Sequence, residues 1–242
     1  MSTHDHDGWH PLGVADGTTM RAWVARPAGP GPHPGLLVLQ EAFGVNAHIR
    51  DVAGRFAAEG FLAIAPELFH RTAPGFEGDY GNFNGVRTHV NALTTEGIEA
   101  DLRAAFGWLD STGAVDAARV AAVGYCMGGR CAWIANSALP LAAAVSYYGG
   151  GIAPALLDRA ARVSGPQLLV WGGRDTHILP EHSRAVEDAL RAARKRYASI
   201  VFSQAPHGFF CDARPEYDPP AAREAWALTL AFLRDYTGGS AA

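Results

Sequence analysis

The chain has 242 residues, of which 48% are hydrophobic and 18% are charged, and its formal net charge is −4 at pH 7. This length fits a single α/β domain over 1–242, with enough apolar residues for a sizeable core. The sequence has no basic stripe for nucleic acid and no apolar run long enough to span a membrane, and its three cysteines do not indicate a disulfide framework.

We expect no export signal at the amino terminus. Met1–His10 are polar and lack the apolar stretch of a signal peptide, so we expect a cytoplasmic protein. His4 and His6 fit a frayed polar terminus better than a metal site. We expect neither a metal nor an organic cofactor. The expected partner is a small-molecule substrate, without nucleic acid or membrane, and the chain is expected to be a monomer or a weak homo-oligomer.

The first half of the chain alternates strand-like and helix-like patterns. Asp16-Gly17 is a turn signal inside a predicted hairpin over Trp9–Pro27. The patterns then predict a proline-rich loop over 29–34, a buried strand over 35–40, a helix over 46–59 and a buried strand over 61–65. Such alternation is typical of a mostly parallel central sheet flanked by helices on both faces.

A loop-rich segment interrupts this alternation at 67–89. It combines glycines with aromatic residues, and a loop of this length in a compact domain is usually functional or disordered. The aromatic content favours a cap over a pocket, although a surface excursion packed by its own aromatic rings fits equally well. One long helix is predicted over 90–109, with a core stripe at helical spacing.

The second half contains a buried strand that ends in Gly124-Tyr125-Cys126-Met127-Gly128. A cysteine flanked by glycines, between a strand and a helix, indicates a nucleophile elbow. The glycines avoid collisions at a sharp turn, and the following helix offers free N–H groups that favour a thiolate. The later predicted elements are a strand over 141–148, a strand over 167–171, a helix over 181–196, a strand over 198–203 and a helix over 219–236.

Cys126, Asp175 and His207 each follow a predicted parallel strand, at the sheet edge where sites form in α/β proteins. Their order along the chain is that of the α/β-hydrolase fold. His207 can take the thiol proton, and Asp175 can hold the imidazole in one tautomer. Asp175 could instead be a turn residue and His207 a loop residue without a partner. His177 and Asp212 are weaker rivals for the two roles.

Four motifs resemble the dienelactone hydrolase (carboxymethylenebutenolidase) family of the α/β-hydrolase fold. They are Q-E-A-F-G-V-N at 40–46, G-Y-C-M-G-G at 124–129, G-G-R-D at 172–175 and H-G-F at 207–209. The resemblance covers most of the chain, from about Leu36 to Phe232. It implies a hydrolase that opens a lactone or an ester through an acyl-enzyme on Cys126.

The resemblance also implies roles for residues around the thiol. The backbone N–H groups of Met127 and Ala42 would form the oxyanion hole. Glu41 would lie beside Cys126 in the resting state, where it would take the thiol proton or be displaced by substrate. A helix cap is the simpler role for a carboxylate after a strand, but the helix is expected to start later. With a neutral resting thiol, alkylation by iodoacetamide at neutral pH is expected to be slow.

The expected substrate pocket departs from the family pattern. Its residues would be Phe43, Arg87, Tyr125, Phe209 and Cys211. Cys211 occupies the position where the family has an arginine that binds the substrate carboxylate, and Arg214 does not match that position. We therefore expect neutral esters or lactones to be preferred over carboxylated dienelactones.

Two other functions fit the same sequence. The chain could be a broad-specificity carboxylesterase or thioesterase of this fold, distinguished by the charge of its pocket. It could also be a non-catalytic relative that binds a small molecule or senses oxidants through Cys126. The joint presence of Asp175 and His207 weighs against a binding protein, which needs neither.

Overall fold

The computed structural model describes residues 7–238, so the expectation for His4 and His6 lies outside the described residues. The chain forms two compact units, Met1–Ala121 and Ala122–Ala242. The single domain expected over 1–242, with its cap over a site, stays a prediction.

Strands and helices alternate along residues 7–238. The strands are β1 (Gly8–Gly13), β2 (Thr19–Ala25), β3 (His33–Leu39), β4 (Leu62–Pro66), β5 (Val115–Tyr125), β6 (Ala143–Tyr147), β7 (Gln167–Gly172) and β8 (Tyr197–Phe202). The helices are α1 (Ala47–Ala58), α2 (Phe83–Ala92), α3 (Thr95–Ser111), α4 (Met127–Ala138), α5 (Pro180–Ala192) and α6 (Pro219–Thr237), with a short 3-10 helix at Leu157–Arg162.

The first unit contains the strand order β1-β2-β4-β3. β1 and β2 form the predicted antiparallel hairpin, and β3 lies parallel to β4. The apolar run of β3 is buried because α1 and α3 pack against these strands. α1 is capped by Asn46, whose side chain accepts a hydrogen bond from the N–H of Ile49 at 3.2 Å. The chain leaves α1 at Gly60, where φ is +94°, as the pattern predicted.

The second unit contains three parallel strands in the order β6-β7-β8, and β5 ends within it. α4 and α6 pack against β6. α6 begins with Pro219 after Asp218, whose side chain accepts from the N–H of Ala221 at 3.2 Å. The buried face of α6 includes Leu230, and Trp226 is partly buried. The predicted α/β fold with mostly parallel strands is confirmed.

The segment 67–89 is irregular only as far as Asn82, because α2 begins at Phe83. The side chain of Asn82 accepts a hydrogen bond from the N–H of Gly85 at 3.1 Å and so caps the helix. This helix was not predicted because few of its residues are apolar, and Val86 is its one fully buried residue.

The single helix predicted over 90–109 is wrong at its start. Leu93 has an extended backbone, and α3 begins only after Thr94. The Thr94 hydroxyl accepts from the N–H of Gly97 at 3.0 Å, which makes Thr94 a helix cap and separates α2 from α3. The predicted core stripe is present within α3, where Ile98 and Leu102 are buried.

No helix among residues 7–238 is both long and apolar enough to cross a membrane.

Candidate active site

Cys126 connects β5 to α4 in a strained backbone conformation. Its φ of 55° and ψ of −116° lie in a region that residues other than glycine seldom occupy. The corner is fixed because the N–H of Cys126 donates to the carbonyl of Tyr147 at 3.0 Å. A Cβ at Gly124 would overlap the carbonyl of Gly128, so the turn requires glycine there. The predicted sharp turn from strand to helix is confirmed, and it leaves Cys126 partly exposed.

The structure brings the thiol, the imidazole and the carboxylate together in the second unit. Nε2 of His207 lies 3.1 Å from Sγ of Cys126, and Nδ1 lies 2.7 Å from Oδ2 of Asp175. The second carboxylate oxygen of Asp175 accepts from the backbone N–H groups of His177 at 2.7 Å and Ile178 at 2.9 Å. These two bonds orient the carboxylate, so that its other oxygen, Oδ2, faces the imidazole.

These contacts shift the pKa values of both His207 and Asp175. Burial lowers the pKa of His207. The hydrogen bonds and charges of Asp175 and Cys126 raise it by more, so that the pKa rises from 6.5 to about 10. Burial raises the pKa of Asp175, but the hydrogen bond and charge of His207, with the two backbone N–H groups, hold it below its ordinary value. The site therefore favours a protonated His207 imidazolium beside an ionised Asp175 at neutral pH.

The His207 ring is held between two other rings. The ring centroids of Tyr148 and His177 each lie 5.0 Å from that of His207. Tyr148 has a φ of 35°, a second strained residue beside the site. Tyr148 was not predicted as a site residue, although its position directly after β6 and before three glycines was a usable signal. The rival His177 thus packs against the imidazole and does not replace it.

Glu41 and Ala42 follow β3 in the first unit, and both are buried. Gln40, just before them, accepts from the N–H of Leu68 through its side-chain oxygen at 3.1 Å. Met127 is the first residue of α4 in the second unit. The roles predicted for Glu41, Ala42 and Met127 stay predictions.

Three of the expected pocket residues are core residues of the second unit. Tyr125, Phe209 and Cys211 are fully buried. The ring of Tyr125 stacks on Phe210 with centroids 5.0 Å apart, and Phe209 packs against Tyr148 at 5.5 Å. These three residues offer no exposed surface to a substrate in this conformation. An arginine at position 211 would have to enter the core, which is costly for a charge.

The other expected pocket residues differ in exposure. Phe43 is buried in the first unit, whereas Arg87 lies on the exposed side of α2. The weaker rival Asp212 is exposed.

Arg214 lies nearer to the imidazole loop than its sequence position suggested. A Cβ at Gly208, the residue after His207, would be 2.6 Å from Nη1 of Arg214. Nε of Arg214 donates to the carboxylate of Glu216 at 3.2 Å. The guanidinium beside the site is therefore already paired with an anion.

Comparisons with known proteins agree on one family. A model of the dienelactone hydrolase family matches residues 20–237. The "Putative carboxymethylenebutenolidase" of Salmonella typhimurium is 36% identical, covering 97% of this chain and 91% of its own. The "Probable 2-oxo-3-(5-oxofuran-2-ylidene)propanoate lactonase" of Bradyrhizobium is 29% identical, covering 93% of both. The crystal structure of "Putative Dienelactone Hydrolase" from Klebsiella pneumoniae is 33% identical with a TM-score of 0.87, covering 96% of this chain and 99% of its own.

The raised pKa of His207 places a positive charge 3.1 Å from Sγ of Cys126 at neutral pH, and we predict that this charge makes alkylation fast, where the sequence predicted slow alkylation. Iodoacetamide should alkylate wild-type Cys126 at a rate that is nearly flat between about pH 6 and 8, because the imidazolium loses its proton only as the pH rises towards about 10. In His207→Gln the rate at pH 7 should fall about tenfold or more and then rise with pH, as for an ordinary thiol of pKa about 8.5.

Peptide mapping by mass spectrometry would locate the label, and His33→Gln, at the start of β3 in the first unit, is the control. A wild-type rate that climbs about tenfold per pH unit would show a neutral resting thiol and contradict the ion pair.

Proposed function

Because the chain belongs to the dienelactone hydrolase family, we propose that it hydrolyses a lactone or a carboxylic ester through a covalent acyl-enzyme on Cys126. The observation that carries this proposal is the continuous chain of contacts from Sγ of Cys126 through His207 to Asp175. Each group in that chain has the chemistry that a step of acyl transfer requires.

In the first half-reaction, Sγ of Cys126 attacks the carbonyl carbon, and the electrons of the C=O double bond move onto oxygen. The N–H groups of Met127 and Ala42 stabilise this oxyanion in the proposal. When the C=O bond re-forms, the C–O bond to the alcohol breaks. His207 then gives its Nε2 proton to the leaving oxygen, which yields a thioester on Cys126 and an alcohol, or a ring-opened hydroxy acyl group for a lactone.

In the second half-reaction, His207 is neutral and can take a proton from water. The hydroxide formed attacks the thioester carbonyl, and collapse of the second oxyanion breaks the C–S bond. The thiolate leaves and the acid is released, so the ion pair of Cys126 and His207 is restored. Asp175 stabilises the imidazolium in both halves and fixes its tautomer. Glu41 is proposed to accept the proton of a neutral Cys126 thiol before the ion pair with His207 forms.

The localisation and assembly of the protein remain proposals. We infer a cytoplasmic monomer or weak homo-oligomer whose partner is a small lactone or ester. The alternative of a non-catalytic binding protein predicts no turnover of any activated ester.

Replacement of Cys126 tests the proposal. Cys126→Ala should reduce ester hydrolysis by at least about 10⁴-fold, the scale seen when a residue of such a triad is lost. The assay is steady-state hydrolysis of an activated neutral ester, with circular dichroism to verify folding. Cys131→Ala is the matched control, since Cys131 lies in α4, the helix that follows Cys126, and is buried. Wild-type activity in Cys126→Ala would disprove the proposed nucleophile.

The charge near the site predicts the substrate preference. Cys211 lies in the core, and Arg214 is paired with Glu216, so neither position offers an unpaired cation to a substrate carboxylate that loses its water. We expect neutral short-chain esters or lactones to be preferred over a carboxylated dienelactone by about tenfold or more in kcat/KM.

This preference is tested with one neutral ester and one dienelactone on the wild type and Arg214→Gln. If the wild type favours the dienelactone and Arg214→Gln loses that preference, Arg214 binds the carboxylate and the predicted preference is wrong. Arg184→Gln, on α5, is the control for loss of one positive charge in the same unit.

A further inference from the structure

Residues 76–80, called the clamp below, contact the loop that follows Ala42 in the first unit. The N–H of Gly78 donates to the carbonyl of Phe43 at 3.0 Å. The ring of Tyr80 packs on the ring of Phe43 with centroids 4.6 Å apart. The residue directly after the proposed oxyanion donor is therefore held through both its backbone and its side chain.

The next residue of this loop, Gly44, fits closely against the backbone of the clamp. Gly44 has a φ of +81°, and a Cβ at this position would overlap the carbonyl oxygen of Phe76. Both the backbone conformation and the close approach require glycine. The loop therefore cannot move towards the clamp at this point.

The last two residues of the loop are tied to the clamp through side chains. The carbonyl of Val45 accepts from Nη1 of Arg50 at 2.7 Å, and the same nitrogen pairs with Glu77 at 2.6 Å. Nδ2 of Asn46 donates to the hydroxyl of Tyr80 at 2.9 Å. Each of the four residues 43–46 thus contacts the clamp, either directly or through the side chain of Arg50.

Tyr80 differs from the other clamp residues because its side chain contacts both ends of the loop. Its ring contacts Phe43, and its hydroxyl accepts from Asn46. Asn46 also caps α1, so the hydroxyl ties the loop to the start of that helix. Removing the hydroxyl alone would loosen one end of the loop and leave the aromatic contact in place.

We infer that Tyr80 is a positioning residue that fixes the backbone N–H of Ala42 for the oxyanion. This inference rests on the proposed function, in which Ala42 is one of two oxyanion donors. A donor stabilises the transition state only when it is already oriented, since reorienting it during the reaction cancels part of its effect. The clamp would therefore act on the rate of the chemical steps and not on the capture of substrate.

The test compares the wild type with Tyr80→Phe and with Glu77→Gln, which weakens the other tie. For an activated neutral ester, kcat should fall about tenfold in Tyr80→Phe, less than the 10²–10³-fold loss when a donor is removed outright. KM should change by less than about twofold, because ground-state binding is unaffected. Tyr197→Phe is the matched control, since its hydroxyl bonds Arg191 at 3.1 Å on the second unit.

A trifluoromethyl ketone distinguishes the oxyanion from general loosening of the site. Cys126 adds to its carbonyl carbon through a C–S bond, and the carbonyl oxygen becomes an oxyanion like that of the reaction. The affinity of Tyr80→Phe for this compound should fall by the same factor as kcat, whereas its rate of Cys126 alkylation by iodoacetamide should match the wild type. Glu77→Gln should change both readouts in the same direction, by a smaller factor.

The outcomes separate the two claims. Unchanged kcat and unchanged ketone affinity in Tyr80→Phe would overturn the inference. The proposed function would still stand in that case, provided that the wild-type protein hydrolyses the ester. A fall in alkylation rate parallel to kcat would also overturn it, because Tyr80 would then act on the whole site. A wild-type protein that turns over no ester would overturn the proposed function and the inference with it.

Discussion

The imidazole of His207 lies between a thiol and a carboxylate, and the rest of the second unit holds these three groups in contact. Burial lowers the pKa of His207, but its contacts raise it to about 10. These contacts join Nδ1 to Asp175 at 2.7 Å and Nε2 to Cys126 at 3.1 Å. A positive charge favours a thiolate beside it, and the proposed mechanism begins from that pair. In that mechanism the same ring then gives its proton to a leaving alkoxide, so one group serves both halves of the proposed reaction.

This contact requires a chain that turns sharply at the end of β5. The positive φ of Cys126 costs about 1–3 kcal/mol, and such strain persists only where the surroundings enforce it. Here they do so through the bond from its N–H to Tyr147 and through glycine at position 124, where a side chain would overlap the next turn. The first unit shows a similar arrangement at Gly44, where the clamp enforces another positive φ. Cys126 is the proposed nucleophile, and Gly44 lies two residues after Ala42, the proposed oxyanion donor.

The sequence predicted the parts of this structure that depend on local pattern and on order along the chain. Apolar runs placed the strands, and the placement of Cys126, Asp175 and His207 after three of them predicted their meeting. The break between α2 and α3 was missed because it depends on one capping hydroxyl and not on periodicity. The burial of Cys211 and the contact of Tyr148 with the imidazole were also missed, since both result from packing between distant segments.

Direct trapping of the intermediate tests the account most sharply. The wild-type protein should be mixed with an activated ester, quenched in acid during the first turnovers and examined by intact-mass and peptide mass spectrometry. The account predicts a mass increase equal to the acyl group, located on the peptide that contains Cys126 and formed at a rate no slower than turnover. Hydrolysis that proceeds with no adduct, or with the acyl group on another residue, would contradict it.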